Sequence, residues 1–341
     1  MSSNSSFPNL SGLSVIKENY RTKNSVIYLV KNESLNKITI LKSIQKSYIS
    51  PKAYEMLKRE RDFYSSNLSP DLFPSFIKPY KDDNNLYIER TFIEGINFSK
   101  LLTDEHILIF SDKSKSNFNL YLNIISQIIY IMYILHTNNY CYRDLKLNNL
   151  IINKQLKISL IDFGFVKKLD NNNSKTTTVC GTFHMKAPEI FLASEGKLKE
   201  YNPFCFDIYS IGVILYEIYY GKAPFKYYKD DIDMDEYKKI LFKGIDESYF
   251  DENIDKNLKE LIIKCMNVEP EKRPSITDIR NDKLWESYGE FNKIRELDLT
   301  INNDDKQIKD FIDYIQFSGD FSEDYEFNED KKKMDDLFAN F

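Results

Sequence analysis

The stretch that decides the fold is Tyr142–Asn149, which reads Tyr-Arg-Asp-Leu-Lys-Leu-Asn-Asn. It places Asp144, Lys146 and Asn149 within one short loop. Thirteen residues after Asn149 comes a second motif, Asp162-Phe163-Gly164. A lone aspartate is most often a helix cap or a turn residue. The order and spacing of the two motifs therefore carry the information, and no single residue does.

Together these two motifs resemble the catalytic loop and the Mg²⁺-binding turn of protein kinases. Transfer of a γ-phosphoryl group needs positioning and charge neutralisation more than covalent help. The resemblance implies that Asp144 accepts the proton of the attacking hydroxyl and that Lys146 holds the transferring phosphate. Asn149 and Asp162 supply hard oxygen ligands, which suit Mg²⁺. ATP and Mg²⁺ are therefore the expected cofactors.

Upstream motifs follow in the order that the resemblance requires. Thr39–Lys42 occupies the place of the strand that carries the nucleotide-binding lysine, Lys42. Glu60, on the helical stretch Pro51–Ser66, is the expected ion-pair partner of Lys42. The resemblance also implies a nucleotide-base pocket formed by three apolar side chains, Ile27, Ile40 and Ile151.

Downstream motifs complete the pattern. Gly181–Glu189 resembles the end of an activation segment, which docks a protein substrate in this family. Thr182 and Lys146 favour serine or threonine over tyrosine as the acceptor. The apolar stretch Phe206–Tyr220 predicts a helix that Asp207 opens. Arg273 lies where kinases pair an arginine with the glutamate of the Ala-Pro-Glu motif.

Further details resemble the AGC group of serine/threonine kinases, and within it the cyclic-nucleotide-dependent kinases. Tyrosine precedes Arg143-Asp144, as is typical there, and Cys180-Gly181-Thr182 matches as well. The acidic aromatic segment Phe321–Tyr325 and the terminal Phe338–Phe341 resemble the C-terminal tail of those enzymes.

The resemblance implies an α+β, bilobal protein-kinase fold. A small β-rich lobe with one main helix spans residues 13–94, and a large, mainly helical lobe spans residues 95–285. Residues 1–12 are expected to be a disordered extension, and residues 286–341 an AGC-type tail. The polar stretch Ser111–Asn117 reads as a surface insertion.

Five residues are expected to regulate the enzyme. Thr178 stands at the place of the activation-loop phosphothreonine, where a phosphate could pair with Arg143 and Lys167. In the resembling kinases, two terminal aromatic side chains dock on the small lobe and brace the helix that carries the glutamate. The matching residues here are Phe338 and Phe341.

Composition limits the partners. The net charge of −5 and the pI of about 5.5 argue against nucleic acid as a main partner. The chain of 341 residues leaves no room for a cyclic-nucleotide-binding domain, so such control would need a separate regulatory subunit. Protein substrates are the expected partners of a monomeric catalytic chain. The four cysteines show no paired spacing, which predicts reduced thiols.

No targeting or membrane signal is visible in the sequence. The N-terminal residues lack the apolar core of a signal peptide. The longest apolar run, Leu120–Leu135, is shorter than the roughly 20 residues that a membrane-spanning helix needs. A cytoplasmic location without a membrane span is therefore expected.

The glycine-rich loop of the family is missing. Its place is Tyr20–Ser25, which contains no glycine. Glycines there let backbone N–H groups approach the phosphates. Arg21 or Lys23 could compensate as a point charge, although a solvated basic pair is the preferred interpretation.

The nucleotide pocket differs from the pattern as well. Ile40 replaces the alanine of the family and adds bulk against the base. Arg90 falls near the gatekeeper position. Because a buried, unpaired arginine would be costly, we expect it to pair with Glu89 or a phosphate.

These departures keep a second hypothesis open, a pseudokinase that acts as a scaffold or regulatory module. Against it stand the six polar residues that catalysis requires: Lys42, Glu60, Asp144, Lys146, Asn149 and Asp162. Gly181–Glu189 disfavours a third reading, a small-molecule kinase. Substrate preference stays open: Asn97 and Asn148 replace two acidic residues that bind basic substrates in the resembling enzymes, and Glu217 is kept.

Overall fold

The computed structural model describes residues 8, 10–21, 25–103, 115–170, 175–225, 233–296, 312 and 315. The strands are β1 (Leu13–Arg21), β2 (Ser25–Asn32), β3 (Lys37–Gln45), β4 (Phe76–Lys81), β5 (Asn85–Thr91), β6 (Ile96–Asn97), β7 (Tyr140–Cys141), β8 (Leu150–Ile152), β9 (Ile158–Leu160) and β10 (Lys167–Lys168). The α-helices are α1 (Pro51–Ser65), α2 (Phe98–Thr103), α3 (Lys115–Thr137), α4 (Pro188–Ser194), α5 (Pro203–Tyr220), α6 (Met234–Lys243), α7 (Lys256–Cys265), α8 (Ile276–Arg280), α9 (Lys283–Tyr288) and α10 (Phe291–Glu296).

The small lobe is an antiparallel sheet of five strands in the order β1-β2-β3-β5-β4, with α1 beside β4. The first turn of α1 is capped by Ser50, whose hydroxyl accepts a hydrogen bond from the N–H of Ala53 at 3.1 Å. Pro51 follows at the first helical position, where its missing N–H costs nothing. The helix ends at Ser65, which confirms the prediction of a helix over Pro51–Ser66 to within one residue.

The large lobe is helical and is built around α3 and α5. The phenol of Tyr121 on α3 donates to the carbonyl of Leu215 on α5 at 2.9 Å, deep in the core. Helix α5 begins at Pro203, three residues before the predicted start, because Asn202 caps the N–H of Phe204. The sheet and these helices form the bilobal kinase fold, as predicted.

Helix α3 corrects one prediction and explains an apolar signal. Residues 115–117, predicted as part of a surface insertion, form the first turn of α3, and Asn117 is fully buried. Within the described part of the chain, Asn117–Thr137 is long and apolar enough to span a membrane, but most of it is buried inside the protein, as in a core helix.

Short strands place the two motifs. The catalytic loop, 142–149, lies between β7 and β8, and the turn 162–164 lies between β9 and β10. Strand β7 pairs with β10, and β8 pairs with both β6 and β9. The loop and the turn are therefore held at the same edge, beneath α1. All four cysteines are free thiols, as predicted.

A buried ion pair fastens the end of the activation segment to the large lobe. Both carboxylate oxygens of Glu189 on α4 accept hydrogen bonds from Arg273, at 2.7 and 2.8 Å. The guanidinium also donates to the carbonyls of Asn267 and Cys205, at 2.8 and 2.9 Å. Because the charges and the remaining donors are satisfied, this pair can be buried without an orphaned ion.

We expect Glu189→Gln to lower the free energy of unfolding by about 3–5 kcal/mol, because it leaves the Arg273 guanidinium buried without its counter-charge. Urea denaturation measures this change. The control is Glu286→Gln on α9, an exposed side chain whose change should stay within about 0.5 kcal/mol. Equal losses in the two variants would contradict the role given to the pair.

Candidate active site

The catalytic loop is anchored from below by Asp207. Its carboxylate is fully buried and accepts the backbone N–H groups of Tyr142 at 2.8 Å and Arg143 at 2.7 Å. The Nε2 atom of His136 lies 3.0 Å from the same carboxylate. Arg143 has a φ of 70°, a conformation that costs a non-glycine residue about 1–3 kcal/mol and persists only where the surroundings impose it. The paired hydrogen bonds to Asp207 supply that constraint.

Asp144, Lys146, Asn149 and Thr182 meet in one polar cluster. The hydroxyl of Thr182 donates to Oδ1 of Asp144 at 2.7 Å, and its backbone N–H reaches the same oxygen at 3.0 Å. Lys146 Nζ lies 2.9 Å from the Thr182 hydroxyl and 3.1 Å from Asp144 Oδ2. The amide nitrogen of Asn149 donates to the Asp144 carbonyl at 2.9 Å and to Oδ2 at 3.2 Å. These contacts fix the Asp144 carboxylate at the site.

Gly181 lets the Thr182 segment approach the loop this closely. Its φ is +93°, and a Cβ there would lie 2.8 Å from the Arg143 carbonyl oxygen and 2.9 Å from Cζ of Phe206. Any side chain would push Thr182 away from Asp144.

Lys42 joins the lobes through two carboxylates. Its Nζ lies 2.7 Å from Glu60 Oε2 on α1 and 3.8 Å from Asp162 Oδ1. The hydroxyl of Tyr64 donates to the other Glu60 oxygen at 3.1 Å. Burial by itself lowers the pKa of Lys42, but the carboxylates of Glu60 and Asp162 outweigh it and hold that pKa above its ordinary value. Lys42 therefore carries a positive charge at the point where phosphates would bind.

The turn at Asp162 is set by aromatic packing and by Tyr142. Asp162 has a φ of 62°, and the Tyr142 hydroxyl donates to the carbonyls of Ile161 and Asp162, at 2.6 and 3.0 Å. The fully buried ring of Phe163 stacks on Phe63 of α1 with centroids 3.9 Å apart. This packing ties the turn to the helix that carries Glu60.

Asp162 and Asn149 fit a magnesium ion by the chemistry of their donors. Because the Asn149 amide nitrogen faces Asp144, its oxygen remains to act as a ligand, and Asp162 adds a carboxylate. Within the described residues, no three His, Cys, Asp or Glu side chains gather as a metal site. One amide oxygen and one carboxylate suit Mg²⁺, which is usually held by one or two protein groups together with substrate phosphates.

The three residues predicted for the base pocket lie on two different sheets. Ile27 and Ile40 pack together with Leu29 on the inner face of the sheet, and Tyr20 and Phe92 pack against this cluster. Ile40 is fully buried. Ile151 lies on β8, where it pairs with Asn97 of β6. Tyr20, which replaces a glycine of the family, thus adds a phenol ring to the apolar cluster.

Arg21 does not supply a spare charge at the missing glycine-rich loop. Its guanidinium donates to Glu18 through Nε at 2.6 Å and through Nη2 as well. The charge of Arg21 is therefore balanced within β1. Lys23, the other predicted substitute, lies outside the described residues.

The predicted pairing of Arg90 with Glu89 is wrong, because successive strand residues point to opposite faces. Glu89 is buried on the outer face, where it accepts hydrogen bonds from Asn32, Thr39 and Tyr80 at 2.7–2.8 Å. Arg90 is buried on the other side of β5. It donates to the Thr91 carbonyl at 3.1 Å, and its guanidinium carbon lies 5.9 Å from the centre of the Tyr64 ring.

The predicted regulatory residues Arg143 and Lys167 form a basic pocket under the activation segment. Arg143 is fully buried; its Nε donates to the Phe165 carbonyl at 2.8 Å, whereas Nη1 and Nη2 find no acceptor among the described residues. Lys167 Nζ donates to the hydroxyl of Thr176 at 3.0 Å. Burial and then the charges of Arg143 and Arg59 lower the pKa of Lys167. The pocket therefore has an excess of positive charge.

The unmodified hydroxyl that Lys167 contacts is that of Thr176, two residues before the predicted phosphorylation site Thr178. Thr176 is buried, and its hydroxyl also accepts the N–H of Thr178 at 3.3 Å. The Tyr201 phenol donates to the Thr178 carbonyl at 2.7 Å. Thr178 is half-buried beside this pocket. Phe338 and Phe341 lie outside the described residues.

The supporting contacts of several residues were not predicted from the sequence. Asp207, His136 and Tyr142 hold the catalytic loop and the Asp162 turn, and Tyr64 holds Glu60. Only Asp207 carried a visible signal, an acidic residue within a long apolar stretch, since a charge buried there needs partners.

Comparison with known proteins agrees with this geometry. The family model for the protein kinase domain matches residues 21–285. The chain is 34% identical over 254 residues to the probable serine/threonine-protein kinase PLK of Dictyostelium discoideum, an overlap of 74% of this chain and 24% of that protein. It is 29% identical over 266 residues to the cell cycle serine/threonine-protein kinase CDC5/MSD2 of Saccharomyces cerevisiae, covering 76% of this chain and 34% of that one.

A cGMP-dependent protein kinase of Drosophila melanogaster, isozyme 2, is 35% identical over 159 residues, 45% of this chain and 16% of its own length. The chain thus spans well under two thirds of the length of these three relatives. The relatives do not single out the AGC group. The family match covers most of the chain and includes both catalytic motifs, and the chain belongs to the protein kinase family.

Proposed function

We propose that this chain is a catalytically active serine/threonine protein kinase that uses ATP and Mg²⁺. The observation that carries the proposal is the position of Asp144, whose carboxylate is held between Lys146, Thr182 and Asn149. A second polar cluster, Lys42 with Glu60 and Asp162, lies on the nucleotide side of the same cleft. The kinase relatives support the same reaction class.

Each side chain has a role that its contacts favour. Asp144 accepts the proton of the substrate hydroxyl, which takes the place of the Thr182 hydroxyl as a hydrogen-bond donor to the carboxylate. Lys146 lies 3.1 Å from Asp144 and offsets charge on the phosphoryl group as it moves. Lys42, charged and oriented by Glu60, holds the nucleotide phosphates. Bound Mg²⁺, held by Asn149 and Asp162, would neutralise phosphate charge.

The alternative is a pseudokinase that works as a scaffold. Its support is the glycine-free segment Tyr20–Ser25 and the apolar cluster into which Tyr20 packs. Side chains there weaken a backbone cradle for phosphates. The catalytic cluster favours the enzyme, because a scaffold has no need to hold Lys146 and Thr182 on Asp144. The two functions predict different nucleotide binding, so a direct measurement of ATP binding can distinguish them.

We expect ATP with Mg²⁺ to raise the melting temperature of the protein, since a ligand at one hundred times its Kd adds about 2.7 kcal/mol to stability. Lys42→Met should abolish most of this shift. Lys154→Met, an exposed lysine in the turn between β8 and β9, should retain it. If saturating ATP, with or without Mg²⁺, leaves the wild-type melting curve unchanged, the scaffold function is favoured.

We expect Asp144→Asn to lower kcat for a generic peptide by about 10²–10⁴-fold, as for loss of a positioned base, while the thermal shift with ATP persists. Asp162→Asn should instead weaken the binding of ATP in the presence of Mg²⁺. Asp71→Asn, an exposed aspartate before β4, serves as the control and should change neither quantity. Wild-type activity in the Asp144 variant would exclude its role as the base.

The finer assignment to the AGC group rests on the motifs around Arg143-Asp144 and Cys180–Thr182 and on the C-terminal residues. The cGMP-dependent kinase among the relatives supports it. A separate regulatory subunit, a monomeric state and a cytoplasmic location stay predictions from the sequence.

Phosphorylation of Thr178 is the proposed activating event. The basic pocket of Arg143 and Lys167 has charge to spare for a phosphate of about −1.5 to −2. Thr178 is half-buried at this pocket, whereas Thr176 is buried and already holds Lys167. Thr176 thus holds Lys167 in place, and Thr178 is the more accessible of these two residues as a phosphate acceptor.

Mass spectrometry of active protein should therefore find a phosphate on Thr178. We expect Thr178→Ala to lower kcat at least tenfold, about the energy of one hydrogen bond to a charged group. Thr177→Ala, its exposed neighbour, should have little effect. Fully active protein with Thr176, Thr177 and Thr178 all unmodified would rule this mechanism out.

A further inference from the structure

Two buried amide side chains, Asn123 and Gln127, lie one helical turn apart on α3. The amide nitrogen of Gln127 donates to Oδ1 of Asn123 at 2.9 Å. Asn123 in turn donates from its amide nitrogen to the carbonyls of Ile294 and Arg295, at 2.7 and 3.3 Å. Both carbonyls belong to α10. We call Asn123 and Gln127 the amide relay.

At its other end the amide relay holds the hairpin formed by β8 and β9. The amide of Gln127 donates to the carbonyl of Leu156 at 2.9 Å and accepts the N–H of Ile158 at 3.1 Å. Leu156 has a φ of 58°, a conformation that a leucine keeps only where its surroundings impose it. One side chain of α3 therefore fixes the backbone at the closed end of the hairpin.

The open end of the same hairpin carries both residues that are proposed to bind magnesium. Asn149 comes directly before β8, and Asp162 comes two residues after the end of β9. The Asn149 carbonyl accepts the N–H of Ile161 at 2.9 Å, so the pairing of the two chains continues up to the turn at Asp162. An extended strand advances about 3.3 Å per residue, which places Ile161 roughly 10 Å from Ile158. The amide relay thus holds the hairpin one short strand away from the two proposed ligands.

The relative position of the two chains of the hairpin matters for a magnesium ion. Mg²⁺ demands near-ideal octahedral geometry, so it tolerates little change in the spacing of its ligands. Leu156 and Ile158 are buried, and backbone groups left unpaired in such surroundings are costly. Without the amide relay, the hairpin would shift until these groups found other partners, and the spacing at its open end would change with it.

The far anchor of the amide relay lies beyond the matched kinase domain. The family model ends at residue 285, whereas α10 spans Phe291–Glu296. Phe291 and Ile294 are nevertheless buried in the main core of the large lobe. The amide relay therefore connects a helix that follows the family match with the strands that lead into the active site.

We propose that the amide relay positions the two magnesium ligands, Asn149 and Asp162, by fixing the β8–β9 hairpin against α3 and α10. The inference rests on the proposed kinase function, and it adds two positioning residues to the proposed reaction. Neither residue touches the nucleotide; both act through the backbone of the hairpin.

The test measures how strongly Mg²⁺ tightens the binding of ATP. The Kd of a fluorescent ATP analogue is determined without and with Mg²⁺, and the ratio of the two values is called the magnesium factor. Gln127→Met keeps an unbranched side chain of similar length but removes the amide donor and acceptor. We expect this variant to lower the magnesium factor about tenfold. The Kd without Mg²⁺ should stay at the wild-type value, because Lys42 is untouched.

Ser126→Ala is the matched control for lost stability. Ser126 is fully buried next to Gln127, and its hydroxyl donates to the Asn123 carbonyl within α3 at 2.8 Å. Measured well below the melting temperature of each protein, this variant should keep the wild-type magnesium factor. An equal loss in both variants would show a general effect of core stability and overturn the proposal. An unchanged magnesium factor in Gln127→Met would overturn it too.

Asn123→Leu tests whether the two amides act as one unit. Alone, this variant removes the anchor on α10 and should lower the magnesium factor as well. Combined with Gln127→Met, it should lower the magnesium factor no further, because residues in one hydrogen-bond network are not additive. Fully additive effects in the double variant would show that the two residues act independently and that no relay exists.

Binding and turnover together separate this inference from the proposed function. If the wild-type protein binds ATP more tightly with Mg²⁺ but phosphorylates no peptide, the kinase function fails, and the magnesium factors still decide the inference. If it phosphorylates a peptide while Gln127→Met keeps the wild-type magnesium factor, the inference alone fails. A wild-type protein whose ATP binding does not respond to Mg²⁺ would overturn the inference directly.

Discussion

The buried carboxylate of Asp207 accepts two consecutive backbone N–H groups, those of Tyr142 and Arg143, and the geometry of the cleft depends on this interaction. It holds Arg143 at a positive φ, which turns the chain so that Asp144 faces the cleft. Two hydrogen bonds to one ionised group are stronger and more directional than ordinary loop contacts. Because Asp207 lies on α5, these two hydrogen bonds attach the catalytic loop to the central helix of the large lobe.

The two lobes meet through charge and through aromatic rings. Lys42 from the sheet, Glu60 from α1 and Asp162 from the large lobe form one chain of opposite charges. Beneath them, Phe163 stacks on Phe63 of α1. The charges orient the side chains, while the rings fix the distance between α1 and the turn. A displacement of α1 would therefore break both kinds of contact together.

The sequence predicted best the residues whose chemistry allows few substitutes. Lys42 lies beside Asp162, and Asp144 lies beside Lys146, as the order of their motifs predicted. The proposed roles, proton acceptance and metal or phosphate binding, each demand a particular chemical group. Supporting contacts were harder to predict: a carboxylate such as that of Glu89 can be satisfied by several donor sets, and its face of the sheet follows from register. Asn117 was predicted to lie in a surface insertion because it is polar. It lies instead in the first turn of α3, since a polar residue can be buried inside a helical core.

The outer-face network around Glu89 has a consequence for how this nucleotide cleft could vary. Its hydrogen bonds to Asn32, Thr39 and Tyr80 tie β5 to two neighbouring strands and to the loop end of β2 from the side away from the cleft. These contacts align β5 from the outer face of the sheet, whereas the side chain of Arg90 lies on the opposite face. A substitution at Arg90 therefore leaves these three hydrogen bonds of Glu89 in place.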